Sequence, residues 1–162
     1  MTGAEFIAGF LATGSLLGLR PGAAPADVDR ALKVGFMEER DGPGGSLRRD
    51  YGLLELYFTA GPHRLLTSGV LELHRLPCAP EMAAEWRSAT GVDFAPYTAW
   101  SEVAEALPPS GQPAVLALEG TDPDDHLEYR NPADKVSVLV VGAEGERSDW
   151  PGHGDVWSVS FG

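Results

Sequence analysis

Arg49-Asp50-Tyr51-Gly52-Leu53-Leu54-Glu55-Leu56-Tyr57-Phe58 decides the fold class. One face of an extended chain here would carry Gly52, Leu54, Leu56 and Phe58. The other would carry Tyr51, Leu53, Glu55 and Tyr57. Alternation of this kind, rich in aromatic and branched residues, predicts a β-strand over 49–58. Upstream, Phe36–Arg40 is a short strand candidate, and Asp41-Gly42-Pro43-Gly44-Gly45 is a turn. Downstream, Ala60-Gly61-Pro62-His63 turns the chain. Leu65–Leu76 then returns as a strand, with Leu71 and Leu73 opposite Glu72 and His74.

Before this region the hydrophobic spacing is helical. Phe6, Phe10, Leu11 and Leu17 predict a helix over 4–17, though Gly9 and Gly14 weaken it. Arg20-Pro21-Gly22 is a turn. A second helix is expected over 25–34, with Pro25 at its first position, Asp27 and Asp29 in its first turn, and Arg30 and Lys33 near its end. Residues 1–76 therefore read α-α-β-β-β.

Pro77-Cys78-Ala79-Pro80 marks a junction. Met82, Trp86 and Ala89 indicate a helix ending at Gly91. Trp100, Val103, Ala104 and Leu107 indicate another, stopped by Pro108-Pro109, with Thr98 as its N-cap. Strands are expected at 113–119, 135–142 and 155–161. Trp157, Val159 and Phe161 share one face of the last. Residues 80–162 again read α-α-β-β-β. A degenerate duplication would produce this order, but residue identity between the halves is too low to assert it. The expected architecture of residues 1–162 is a single α+β domain, an antiparallel sheet with helices packed on one face.

Composition bounds the function. The chain has 162 residues, 43% apolar and 22% charged, which is globular and not disordered composition. A chain this long buries roughly 70% of its unfolded surface and needs no metal or disulfide to stand. Cys78, the only cysteine, excludes an internal disulfide and any zinc site needing two thiolates. The uncharged run Phe6–Leu19 falls short of the roughly 20 residues a membrane span needs. Ala24-Pro25-Ala26 mimics a signal cleavage site, but Met1-Thr2-Gly3-Ala4-Glu5 brings no positive charge ahead of the apolar run. A cytoplasmic location is the expectation. Ten Arg against two Lys, with abundant Ala, Gly and Pro, reads as GC-rich coding bias.

Charge is unevenly spread. Residues 1–81 hold 10 acids and 8 bases, net −2; residues 82–162 hold 14 acids and 4 bases, net −10. The total of −12 argues against a nucleic-acid backbone as partner. The acids gather in two segments, one holding Asp122, Asp124, Asp125 and Glu128, the other Glu144, Glu146 and Asp149 beside Trp150. Three readings stand: solvated loops that aid solubility, a docking surface for a basic partner, or a metal loop. The EF-hand pattern fails, because Leu127 and Ala133 stand where Gly and Glu are needed.

Catalytic signatures are missing. His63, His74, His126 and His153 form no metal-binding pair at helical spacing, and no nucleophile elbow, phosphate loop or dinucleotide fingerprint occurs. Glu72 and His74 could offer two ligands but more often form a salt bridge. Cys78 has only Arg75 nearby and no cause for a reactive thiolate. Arg48, Arg49 and Asp50 are expected to pair internally. Trp86 and Trp100 suit helix cores. Trp150 suits an interface anchor, or equally a ring folded onto the sheet. No cofactor, no metal and no catalytic residue is expected.

Leu17-Gly-Leu-Arg20-Pro-Gly22-Ala-Ala-Pro25-Ala-Asp27-Val28-Asp29-Arg-Ala31-Leu32, continuing into Arg49–Phe58, resembles the opening of small cytoplasmic immunity proteins from actinobacterial polymorphic toxin and contact-dependent inhibition systems. More weakly, it is similar to the helix-turn-helix-sheet units of BamE-like lipoproteins and β-lactamase inhibitory proteins, from which it departs in having neither a lipobox cysteine near the start nor paired cysteines. The resemblance spans about the first 76 residues. It implies a module that neutralises a protein partner, and no enzyme; it assigns no site residue. The expected partner is a basic toxin domain, itself acting on nucleic acid. The residues expected to meet it are Asp122, Asp124, Asp125, Glu128, Glu144, Glu146, Asp149 and Trp150. A small-ligand protein or enzyme, with a pocket between sheet and helices, is the alternative. A structural or regulatory interaction module is another.

Overall fold

The computed structural model describes residues 1–109, 116–117, 125–131, 133 and 135–162. Helix α1 (Gly3–Thr13) opens on a reciprocal cap: the Thr2 amide donates to Glu5 Oε2 at 2.7 Å and the Glu5 amide to Thr2 Oγ1 at 3.2 Å. It stops short of the expected Leu17 because Gly14 takes a left-handed conformation, φ 64°, its amide closing on the Phe10 carbonyl. Helix α2 (Pro25–Ala31) follows. Then come β1 (Met37–Arg40), β2 (Leu47–Asp50), β3 (Leu54–Phe58) and β4 (Leu66–Leu71), with a 3-10 turn at Leu73–Arg75. The second half repeats the plan with α3 (Pro80–Thr90), α4 (Trp100–Ala106), β5 (Leu116–Ala117), β6 (His126–Asn131), β7 (Val136–Val141) and β8 (Val156–Phe161).

The fold class is α+β, as the sequence indicates, but each half carries four strands instead of three. The stretch 49–58 is two strands. The inward-facing parity switches across a tight turn, from Leu47 and Arg49 before it to Leu54, Leu56 and Phe58 after it; there Gly52 adopts φ +80° and the Asp50 side chain accepts the Gly52 amide at 2.8 Å. In the second half the missed strand is β6, whose outward residues His126, Glu128 and Arg130 look like an acidic loop. Its inward residues Leu127, Tyr129 and Asn131 keep the period of two. Thr98 does not cap α4. Ala99 takes that place, its amide held by Glu102 Oε2 at 3.0 Å. The Thr98 carbonyl is instead bonded by the Val156 amide at the start of β8. The strand expected at 113–119 is described only at Leu116–Ala117.

The eight strands form one antiparallel sheet in the order β1-β2-β3-β4-β8-β7-β6-β5. Two four-stranded meanders thus meet through their last strands, with Gly69 opposite Phe161, Val70 opposite Ser160 and Leu71 opposite Val159. The inner face carries Leu54, Leu56, Phe58, Leu71, Val136, Val138, Val159 and Phe161, all buried. Helix α1 meets it through Phe10, edge-on to Phe161 at 5.6 Å, and through its Leu11 carbonyl, which accepts the buried Asn131 amide at 2.7 Å. Helix α4 meets it through Trp100, stacked on Tyr129 at 4.0 Å. Helix α2 meets it through Asp29, which takes Arg49 at 2.8 Å. Trp86 on α3 packs in the core against Phe6 and Phe94. On the outer face, among the described residues, only Glu55 is buried.

Where the meanders join, a Cβ at position 69 would fall 2.6 Å from the Phe161 ring and 2.7 Å from Leu56. Only a hydrogen fits there. Gly69→Ala is expected to destabilise the fold by about 1–3 kcal/mol through overpacking. Urea unfolding measures it, and an unchanged midpoint would show that the seam has slack.

Candidate functional site

Outward-facing β-residues of the first half build a charge network around Glu55. Its carboxylate accepts Arg48 Nε at 3.0 Å, Arg75 Nη2 at 2.5 Å and the Tyr57 hydroxyl at 2.8 Å. Arg48 also reaches Glu39 at 2.9 Å, and Arg75 donates to the Gly52 carbonyl at 2.7 Å. Arg49, one position along, points inward to Asp29 and Glu38. Internal pairing of Arg48 and Arg49 is therefore what the strand does with its two arginines. Burial pushes the Glu55 carboxyl up, but the hydrogen bonds from Arg48, Arg75 and Tyr57 outweigh it and hold it down at about 2.

The β7–β8 connection, residues 142–155, is folded on itself. Arg147 grips Asp155 with two bonds, of 2.9 and 2.7 Å, and Asp155 also accepts the Gly152 amide at 2.9 Å. Asp155 is buried. The Arg147 guanidinium lies over the Tyr97 ring at 5.1 Å, and the Tyr97 hydroxyl donates to the Ser148 carbonyl. His153 is exposed, yet its Nδ1 bonds the Gly142 carbonyl at 3.0 Å and its amide donates to the Gly145 carbonyl at 3.0 Å. The Gly142 and Ala143 amides both donate to the Asp125 carbonyl, tying the connection to the start of β6.

Trp150 stands on this connection, 53% exposed. Its inner side stacks on Trp157 at 5.7 Å and 17°, and on His74 at 6.1 Å and 20°. His74 lies flat against Trp157 at 4.5 Å and 4°, and His126 meets Trp157 edge-on at 5.4 Å. Trp150 is thus folded onto the sheet through these rings while remaining half exposed. Trp157 is not on the core face where its alternation with Val159 puts it. A register shift at Leu139/Val140 swings it outward and leaves Val156, Val159 and Phe161 inside. Glu72 Oε2 sits 3.3 Å from His74 Nδ1, poorly aligned, so Nδ1 is buried without a hydrogen bond. Burial, with Arg75 behind it, holds the His74 imidazole below its ordinary range; burial also raises the Glu72 carboxyl. The lone thiol, Cys78, donates to the Asp149 carbonyl at 3.2 Å.

Of the residues singled out in the sequence, Asp125, Glu144, Glu146, Asp149 and Trp150 fall on this one connection and the strand start bonded to it. Their carboxylates enter no ion pair among the described residues. Glu128 stands apart, further along the outer face. Arg130 holds it with bonds of 2.7 and 2.9 Å, Ser137 adds a third, and its carboxyl is lowered chiefly by Arg130. Asp122 and Asp124 lie outside the described residues. His74, Trp157 and the Arg147–Asp155 clasp were missed. Only the Trp150–Trp157 spacing across a Gly-rich segment hints at them. Glu72 and His74 do meet, but on the outer face, not between sheet and helices. A groove of about 440 Å³ beside Gly3 and Phe94 is lined by Glu5, Asp93, Glu102 and Glu105. Glu5 and Glu102 there are engaged as helix caps. Among the described residues no three His, Cys, Asp or Glu side chains gather as a metal site, and no helix is long and apolar enough to cross a membrane. In comparisons with known proteins, no family model, curated protein or solved structure matches the chain.

Two outcomes are expected. Since Glu55 titrates lower when folded than when unfolded, its contribution is full above the unfolded value near 4.5 and disappears as pH falls towards 2. That contribution is about 3 kcal/mol, and Glu55→Gln should flatten the acid limb of a stability–pH curve measured by urea unfolding. Arg147→Gln leaves the buried Asp155 carboxylate short of donors, at a cost of about 1–3 kcal/mol, nearer the lower figure because the guanidinium is half exposed. Hydrogen exchange should then accelerate at Gly152 and His153 before the sheet amides; uniform protection would mean the clasp is dispensable.

Proposed function

We propose that this chain is a non-enzymatic protein-binding inhibitor, an immunity protein that neutralises a basic toxin domain from the cytoplasm of the cell that makes it. The observation that carries the reading is Trp150: a half-exposed indole, fixed from behind by Trp157 and His74, on a connection that also bears Glu144, Glu146 and Asp149. Large aromatic side chains with low residual freedom make efficient interface anchors. Unpaired carboxylates around such an anchor steer a cationic partner and select against acidic ones. Because the Arg147–Asp155 clasp orders the connection before any encounter, binding carries a smaller entropic cost. Toxins that act on nucleic acid are basic where the phosphates run, so an acidic surface that occupies that channel blocks the substrate. Asp125 completes the acidic rim through its place beside Gly142. Glu128, already bound by Arg130, contributes little to it. Asp122 and Asp124 extend the same acidic segment in sequence.

The partner to test is a basic toxin domain encoded by a gene adjoining that of this chain, where one is found. Its dissociation constant should rise about tenfold or more as ionic strength goes from about 0.05 to about 0.5 M, since exposed charges are screened over this range. Glu144→Gln/Glu146→Gln/Asp149→Asn should weaken binding about tenfold at low salt. Affinity that ignores both the salt and the triple substitution, measured by calorimetry, would falsify the docking surface.

A further inference from the structure

The group on the partner that Trp150 receives can be read from what surrounds the indole. The planes of Trp150, Trp157 and His74 lie within 20° of one another, so the indole of Trp150 is held in a stack of three rings. The chain already sets guanidinium groups on rings elsewhere: Arg49 over Phe36 at 4.5 Å and Arg147 over Tyr97 at 5.1 Å. Among the described residues no cation of the chain lies over Trp150. The nearby arginines are engaged, Arg147 by Asp155 and Arg75 by Glu55 and the Gly52 carbonyl. Indole is the aromatic ring with the strongest attraction for cations. Here it is half exposed, without a cation of its own, on a connection bearing Glu144, Glu146 and Asp149.

An apolar ring alone would suit any hydrophobic side chain. A carboxylate alone would suit any ammonium. The two together favour a planar cation. A guanidinium can lie flat on the indole while its edge donates two parallel bonds to a carboxylate; a lysine ammonium is a point charge that cannot do both with the same geometry. We propose that this surface captures an arginine side chain of its protein partner, stacked on Trp150 and bridged by the carboxylates of the same connection. The proposal rests on the docking reading above and adds the chemical group recognised.

Dye-labelled oligoarginine and oligolysine peptides of equal length, titrated at low salt and followed by anisotropy, separate the alternatives. The unaltered chain should bind oligoarginine about tenfold tighter than oligolysine. Trp150→Leu should abolish that preference, with the larger loss of affinity falling on oligoarginine. Trp150→Phe, which keeps a ring, should retain part of it. Circular dichroism should be native for both variants, because half of the Trp150 side chain is already in solvent. Equal affinity for the two peptides in the unaltered chain overturns the arginine assignment, as does a preference that survives Trp150→Leu. In either case, weaker binding of both peptides by Glu144→Gln/Glu146→Gln/Asp149→Asn leaves the acidic docking reading standing. If that triple variant binds both peptides as the unaltered chain does, or if neither peptide binds at all, both readings fall together.

Discussion

The join between β4 and β8 is the constraint on which the molecule depends. Two four-stranded meanders, each bearing its own pair of helices, become one sheet only if their last strands come within hydrogen-bonding distance. Phe161 is the bulkiest group at that join, and it faces Gly69, whose missing side chain makes room for the ring. Phe10 then closes on Phe161 from the helix layer. Aromatic packing of this kind stabilises beyond its area because edge and face are oppositely polarised. A branched residue at position 69 would push the ring into α1 and part the strands, and the outer face would lose its continuity.

That continuity places the aromatic platform. His74 comes from the 3-10 turn that follows β4, while Trp157 belongs to β8, so the two rings stack only because those strands are neighbours. The shift in register between Leu139 and Val140 turns Trp157 outward instead of into the valine core. Trp150 arrives last, carried by a connection ordered by the Arg147–Asp155 clasp and by backbone bonds to Asp125. The first half keeps the outer face polar in another way. Glu55 is buried among Arg48, Arg75 and Tyr57, all of its bonding capacity used within the sheet. One end of the outer face is thus electrostatically closed, and the other presents open carboxylates and an open ring.

Much of this was legible in the amino-acid order, and the rest was hidden for identifiable reasons. The helix boundary at Gly91 follows from left-handed backbone that glycine adopts without strain; the one at Gly14 has the same cause but was hidden, because Leu17 continues the helical spacing past it. The class of the fold follows from the change of period after residue 35. The hairpin at Tyr51-Gly52-Leu53 was hidden because Tyr51 and Leu53, the residues that flank Gly52 in the turn, are themselves apolar and buried, so no polar run marks it. Strand β6 was hidden by its own outward charges, although Glu128 and Arg130 stand two apart, as partners on one strand face should. The acids of residues 144–149 could be read as a group. That Asp155 belongs to the inside of that connection, and Glu128 to an internal pair, could not, because a charge count carries no information about which arginine lies opposite.

The tail-to-tail meeting of the halves bears on how the chain acquires its shape. Each meander closes through neighbours a few residues apart, whereas the Gly69–Phe161 pairing spans about 90 residues, and its loop closure is correspondingly slow. During synthesis β4 is complete long before β8 exists, so one full edge of the first meander waits unsatisfied. An open edge of this kind is a template for unwanted pairing. Residues 156–161 are therefore more than a last strand: their arrival seals the nascent edge and, in the same event, brings the indole of Trp157 to the imidazole that precedes it in the chain.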